Sequence, residues 1–343
     1  MFTRWIYIVL AIAVLALAPV VGAQADQTSH VICGDLAEAD CQILRDNKTA
    51  MDALSSFAFG MSMTLDYAGL DDSYAMSLSV DGQGGFAVAP EALAGVLALE
   101  EQMNNSSGLS LPEDAIAQLD AFIAGLAGEI RADIQLAADG ESSDIPLHLL
   151  MKDGVIVLGA GALGELMDQP MEGMDWIGLD ANGMMSLLAS DPDMTDLLGI
   201  GAEQELPADA GSWADVEEAA TTITRLADSE VNGLAVAVFE SSLEMNHFAD
   251  MVVEAYQGTT ALDAAEIAAM RQQLDNATLN MRQSIGLSDH YTYRTELSME
   301  MDGASEMSMA LTLDQSDFNE PVIVEIPQDA FILPLAMMMQ MGN

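Results

Sequence analysis

The chain has 343 residues, with 55 Asp and Glu against 9 Lys and Arg, for a formal net charge of −46. Such a molecule is repelled by phosphate backbones and anionic lipid surfaces, which excludes nucleic acid as a partner. Hydrophobic residues make up 51% of the chain, enough apolar material for a folded core and too much for global disorder.

The N-terminus reads MFTRWIYIVLAIAVLALAPVVGAQADQ. Arg4, an apolar core from Ile6 to Ala18, then Pro19 and Ala23-Gln24-Ala25 follow the order of a secretory signal peptide, residues 1–25, cut before Asp26. An uncleaved anchor is the alternative, since Trp5 to Gly22 nearly spans a bilayer. Either way the rest is expected outside the cytoplasm, secreted or in the cell envelope. Its carboxylate-rich surface suits saline surroundings or divalent cations, or serves only to keep an apolar protein soluble.

Residues 26–56 read as an N-terminal helical segment carrying Cys33 and Cys41. A single close pair in an exported chain is expected to oxidise. Eight residues of straight helix span about 12 Å, too far for a disulfide. A Cys33–Cys41 bond therefore requires the chain to turn near Gly34-Asp35.

After the helical stretch Leu36 to Leu54 the period changes to two. Phe57, Phe59, Met61, Met63, Leu65 and Tyr67 alternate with small or polar residues, predicting a strand with one apolar face. Tyr74, Met76, Leu78 and Val80 repeat the pattern after a turn at Gly69 to Asp72, predicting a hairpin. Helices are expected over Pro90 to Met103 and from Ser110-Leu111-Pro112-Glu113 onward. Strands return at Ile130 to Leu136, Ile145 to Met151 and Val155 to Leu158, the last two joined by Lys152-Asp153-Gly154.

That last strand runs into Gly159-Ala160-Gly161-Ala162-Leu163-Gly164, a formal G-x-G-x-x-G. A dinucleotide fingerprint needs a parallel strand-helix-strand unit. Here the glycines follow the returning arm of an antiparallel hairpin, so no cofactor is expected. A short helix is expected over Ala162 to Met167.

Residues 169–212 show no period beyond short helical pieces at Met184 to Ala189 and Met194 to Leu198. The second half repeats the order of the first. Ala220 to Leu226 and Leu234 to Glu240 read as a hairpin, and Asn246 to Tyr256 and Asp263 to Leu274 as amphipathic helices. Thr278 to Ile285, Tyr291 to Met301 and Met307 to Leu313 read as strands, and Val322 to Ile326 as a last short one.

The chemistry inventory is thin. The four histidines, His30, His148, His247 and His290, stand in no metal spacing, and C-x7-C is no zinc pattern. Asp191-Pro192-Asp193 with Asp196 lacks the Gly and the terminal Glu of a calcium loop. No catalytic residue and no metal ligand is assigned. Methionine is the conspicuous excess, with 25 residues. Flexible thioethers fill irregular space and suit surfaces that fit varied apolar shapes, although an ordinary Met-filled core gives the same pattern.

The pattern resembles the exported lipoprotein-carrier and lipid-binding superfamily of the LolA, LppX and LprG type. Asp317-Phe318-Asn319-Glu320-Pro321-Val322-Ile323-Val324-Glu325-Ile326-Pro327-Gln328-Asp329-Ala330 is similar to that group's last strand. Ser284-Ile285-Gly286-Leu287-Ser288-Asp289 is similar to its late hairpin entry. The chain departs from the group in lacking a lipid-attachment Cys and in being longer, through 169–212. The resemblance implies an α+β fold: a large curved antiparallel sheet, a half-barrel, with helices packed on its concave face. It would occupy 57–330, followed by an apolar Met-rich tail at 331–343. It also implies a ligand cavity lined by Phe57, Phe59, Met61, Met63, Met76, Met299, Met301, Met307 and Met309. The expected function is non-enzymatic binding or carriage of a lipid or other apolar small molecule, exchanged with a membrane-associated donor or acceptor protein. The alternative is a cell-surface structural or interaction module on the same scaffold with a filled core.

Overall fold

The computed structural model describes residues 31–68, 75–104, 115–138, 141–161, 164, 175–182, 221–245, 277–301 and 306–334. The signal peptide, the short helices at 184–189 and 194–198, the carboxylates at 191–196 and the amphipathic helices at 246–256 and 263–274 lie outside these residues. So do the helix opening at 110–113 and the turns at 69–72 and 302–303.

The described helices are α1 (Glu38–Asp52), α2 (Pro90–Asn104) and α3 (Ala115–Gly125). The strands of the first half are β1 (Ser56–Ala68), β2 (Ala75–Val88), β3 (Leu126–Ala138), β4 (Glu141–Lys152), β5 (Val155–Gly159) and β6 (Trp176–Asp180). Those of the second are β7 (Thr221–Arg225), β8 (Ser229–Val231), β9 (Leu234–Glu244), β10 (Ala277–Gly286), β11 (Thr292–Met301), β12 (Glu306–Ser316) and β13 (Phe331–Pro334).

All thirteen strands form one sheet in the order β13-β6-β5-β4-β3-β2-β1-β12-β11-β10-β9-β7, with β8 paired to β9. The sheet is open, a half-barrel whose edges are β13 and β7. Each half is a meander, and the β1–β12 ladder joins the two from Ala58 opposite Ser316 to Ala68 opposite Glu306. Both neighbours of β5 are antiparallel, so the glycine run at Gly159 does not leave a parallel strand.

β2 extends past the expected Val80 to Val88, through Gly82, Gly84 and Gly85. The glycines look like a break in the sequence, yet aromatic rings take up the space they leave. Gly84 lies opposite Phe59, and a Cβ there would meet the Phe59 ring at 2.9 Å and collide with Glu129 O. Gly128 lies opposite Phe86, and its Cβ would meet that ring at 2.7 Å. The Phe59 and Phe86 rings stack, with centroids 5.4 Å apart and planes at 3°. Interior glycines covered by neighbouring rings are how a sheet curves without opening voids.

The Cys33–Cys41 disulfide forms, with Cα atoms 5.4 Å apart. The chain turns at Gly34-Asp35 before α1 begins, as the separation argument requires. From there α1 crosses the apolar face of the sheet. Leu36, Ile43 and Leu44 pack on Ala237, Phe239 and Ile285, while Met51 and Leu54 join Phe57, Phe59 and Phe86. Asn47 Nδ2 donates to His290 O at 2.6 Å and to Thr292 Oγ1 at 2.9 Å. The α2–α3 hairpin leaves the ends of β2 and β3 and packs on Val88 and Leu126, which face each other across those strands.

Two stretches differ from the sequence expectation. Val322 to Ile326 is no strand. Its alternation is real, since Val324 is buried and Ile323 is 82% exposed. The segment lies across the outer face on Leu150 and Val157 instead of pairing at an edge, and Lys152 Nζ donates to Val324 O at 3.0 Å. The edge strand is β13, in the expected tail, parallel to β6, which falls in the aperiodic stretch. Four or five residues are too few to show a period. The expected hairpin at 220–240 also differs: β8 makes the tight turn with β9, while β7 pairs farther along it.

Phe318 ties the closing segment to the sheet. It stacks on Tyr291 with centroids 4.4 Å apart and meets Tyr293 edge-on at 5.2 Å. Asn319 Oδ1 accepts from Ser55 N at 2.9 Å, and Asn319 Nδ2 donates to Tyr291 Oη at 3.0 Å. Tyr293 Oη donates to Asp289 Oδ2 at 2.6 Å. Burial, then this hydrogen bond and the carboxylate charge, push its pKa up to about 12.

Two outcomes follow from this packing. Gly84→Ala should destabilise the fold by about 2–3 kcal/mol through overpacking, read by chemical denaturation. The protonated Tyr293 is favoured by folding, so its contribution is complete below the ordinary tyrosine pKa near 10 and fades as pH rises through about 12. Tyr293→Phe should remove the late-titrating phenol from an absorbance titration and flatten the loss of stability across that window.

Candidate functional site

Side chains alternate across a strand, so the registers of successive ladders decide which residues share a face. From β2 through β1 and β12 to β11, Met76 lies opposite Tyr67, Tyr67 opposite Met307 and Met307 opposite Met301. One pleat along, Leu78, Leu65, Met309 and Met299 form the next row. Val80, Met63, Leu311 and Leu297 form the third. Met61 and Leu313 continue the face toward Phe59 and Phe57. All nine residues expected to line a cavity therefore stand on one face, the face that α1 crosses.

They differ in burial along the strands. Phe57 and Phe59 are buried, stacked among Phe86, Ile130 and Leu54 at the end covered by α1. Met63 is buried with Leu78, Val80 and Ala132. Met61, Met76, Met299, Met301, Met307 and Met309 are half-buried. The face thus grades from a tightly packed aromatic end to a thioether-rich end that solvent reaches. The ten steps along β1 from Phe57 to Tyr67 cover about 33 Å by the rise of a strand.

Some inward residues escape the alternation rule because they are polar, among them Gln283 and Thr295, Arg225 and Gln315. Arg225 stands opposite Phe239, its guanidinium carbon 5.1 Å from the ring centroid. Its Nε lies 3.3 Å from Asp40 Oδ1 of α1, and it also pairs with Asp228. Gln315 stands opposite Phe59, two residues beyond Leu313. The apolar count along β12 stops at Leu313, but parity alone carries Gln315 to the same face.

The opposite face carries the charges. Arg294 holds Asp314 through two hydrogen bonds of 2.6 and 3.0 Å, which raise the arginine's pKa against the effect of burial. Arg282 Nη2 reaches Glu240 at 2.7 Å. Glu129 accepts from Arg131 Nε at 2.8 Å and lies 2.7 Å from His148 Nε2. Burial pushes the Glu129 carboxyl up, but the bonds to His148 and Arg131 outweigh it and leave the pKa below its ordinary value. Beside this cluster is an open polar depression of about 520 Å³, lined by Asp81, Gln83, Asp133 and Pro146 among others. Among the described residues no group of three or more His, Cys, Asp or Glu is placed to hold a metal ion.

No protein-family model and no curated protein matches the chain. Among solved structures it is similar to LprF from Mycobacterium bovis, at 11% identity and a TM-score of 0.38, over 86% of this chain and 99% of that one. It is likewise similar to the lipoprotein LppX from Mycobacterium tuberculosis, at 13% identity and a TM-score of 0.31, over 84% and 98% of the two chains. An outer membrane lipoprotein-sorting protein domain from Vibrio parahaemolyticus is similar at 10% identity and a TM-score of 0.17, over 82% and 93%.

Proposed function

We propose that this chain is an extracytoplasmic, non-enzymatic binder or carrier of a lipid or other apolar ligand, held between the sheet and its helices. One observation carries the reading. An apolar face continuous over several strands includes six methionines that are only half-buried, where a finished core would enclose them. The Cys33–Cys41 disulfide supports an oxidising compartment. A carrier would exchange its cargo with a membrane-associated donor or acceptor protein, and divalent cations would screen the acidic surface.

The energetics favour a long chain. Each buried methylene contributes about 0.8 kcal/mol, while association costs about 4–15 kcal/mol in lost freedom. About ten covered methylenes are therefore needed before binding becomes appreciable. Soft, unbranched methionines can repack around chains of differing shape.

The test is displacement of 1-N-phenylnaphthylamine by straight-chain methyl esters of increasing length. Affinity should rise about fourfold per added methylene until the face is filled. Met299 and Met309 lie opposite each other, and changing both to Lys should weaken dye binding at least tenfold with the far-ultraviolet circular dichroism unchanged. Dye that does not bind, together with Met→Leu changes that alter stability alone, would favour a filled interaction module.

A further inference from the structure

Gln315 is 2% exposed, and its Nε2 has no hydrogen-bond partner among the described residues. An interior rarely leaves an amide donor unpaired, because the desolvation cost is then not recovered. Other buried polar side chains among the described residues find partners, Asn47 at His290 O and Thr292 Oγ1 and Ser56 Oγ at Glu320 O, although His290 Nδ1, like Gln315 Nε2, has none. Its partner across the ladder, Phe59, and the preceding inward residue, Leu313, offer no acceptor. The open donor therefore sits at the packed end of the apolar face, where the row toward the methionines begins.

We infer that Gln315 Nε2 is the polar anchor of this face and donates to the carbonyl oxygen of an esterified acyl chain. The inference rests on the apolar-ligand reading above and adds the headgroup chemistry and the orientation. The carbonyl lies at Gln315, and the hydrocarbon runs along β1 and β12 past Met63 and Leu311 toward Met307. That run is eight steps along β12, about 26 Å of strand.

A neutral carbonyl fits better than a carboxylate. A buried carboxylate needs a cation, and Arg225, the cation that the described strands present on this face, is already held by Asp40 and Asp228. The Gln315 amide supplies a directional donor without charge. Where Gln315 is 2% exposed the bond would be shielded from water, which strengthens it.

The experiment uses the full chain and the same dye, displaced by methyl palmitate, hexadecane or palmitate at pH 8. Methyl palmitate should displace the dye from the wild type at about tenfold lower concentration than hexadecane, and at lower concentration than palmitate. In Gln315→Met, a change of similar shape, the ester and the alkane should come within twofold, with the ligand-free melting temperature unchanged or raised. Equal displacement by ester and alkane in the wild type, a comparison that needs no variant, overturns this inference and leaves the apolar-ligand reading intact. Palmitate stronger than its ester overturns the neutral-carbonyl assignment. No displacement by any of the three overturns both readings.

Discussion

The ladder between β1 and β12 makes one sheet out of two meanders. Its register sets Met61 against Leu313, Met63 against Leu311, Leu65 against Met309 and Tyr67 against Met307. A slip of one residue would put Ser62, Thr64 and Asp66 on the inner face of β1 and turn its methionines outward. Burial of the aromatic end guards against that slip, since Phe57 and Phe59 have a closed place only in this register. Gly84 opposite Phe59 and Gly128 opposite Phe86 are part of the same constraint.

The two faces divide the physical work. Apolar contact holds the inner face to α1 and to the α2–α3 hairpin. The outer face is held by ion pairs such as Arg294–Asp314 and by the closing segment laid over Leu150 and Val157. Exposed ion pairs contribute little each, so the closing segment matters more: it covers the apolar patch of Leu150 and Val157, while Val236 and Val238 form a second outward cluster with Val231 and Tyr293. Lys152, one of two lysines in the chain, hydrogen-bonds its backbone.

Much of this was legible in the sequence where the period was long. The alternation from Phe57 to Tyr67, from Met76 to Val80, from Leu297 to Met301 and from Met307 to Leu313 agrees with the ladder registers that set the nine residues on one face. A bulge beside Tyr293 interrupts the period earlier in β11. The Asp153-Gly154 turn was equally plain. Gly82, Gly84 and Gly85 hid the second half of β2, because covering by a neighbour's ring is a property of the sheet and not of the strand. Val322 to Ile326 alternates because it lies on a surface, and lying on a surface does not require ladder hydrogen bonds. Phe331 to Pro334 and Trp176 to Asp180 are short and their partners are distant in the chain, β6 for the first and β5 for the second, so neither shows a period of its own. Gln315 stands one inward position past the last apolar residue of β12, where a hydrophobic period no longer marks the face.

The joining ladder sets residue 58 beside residue 316, and the last strand sets residue 331 beside residue 177. Pairings this distant close late and fold slowly, so the earlier hairpins wait with greasy stripes uncovered while the end of the chain is still arriving. Neighbouring molecules in that condition would cluster. A surplus of carboxylates spread through both halves keeps such immature chains apart by mutual repulsion, which gives the acidity a part to play before the native state exists.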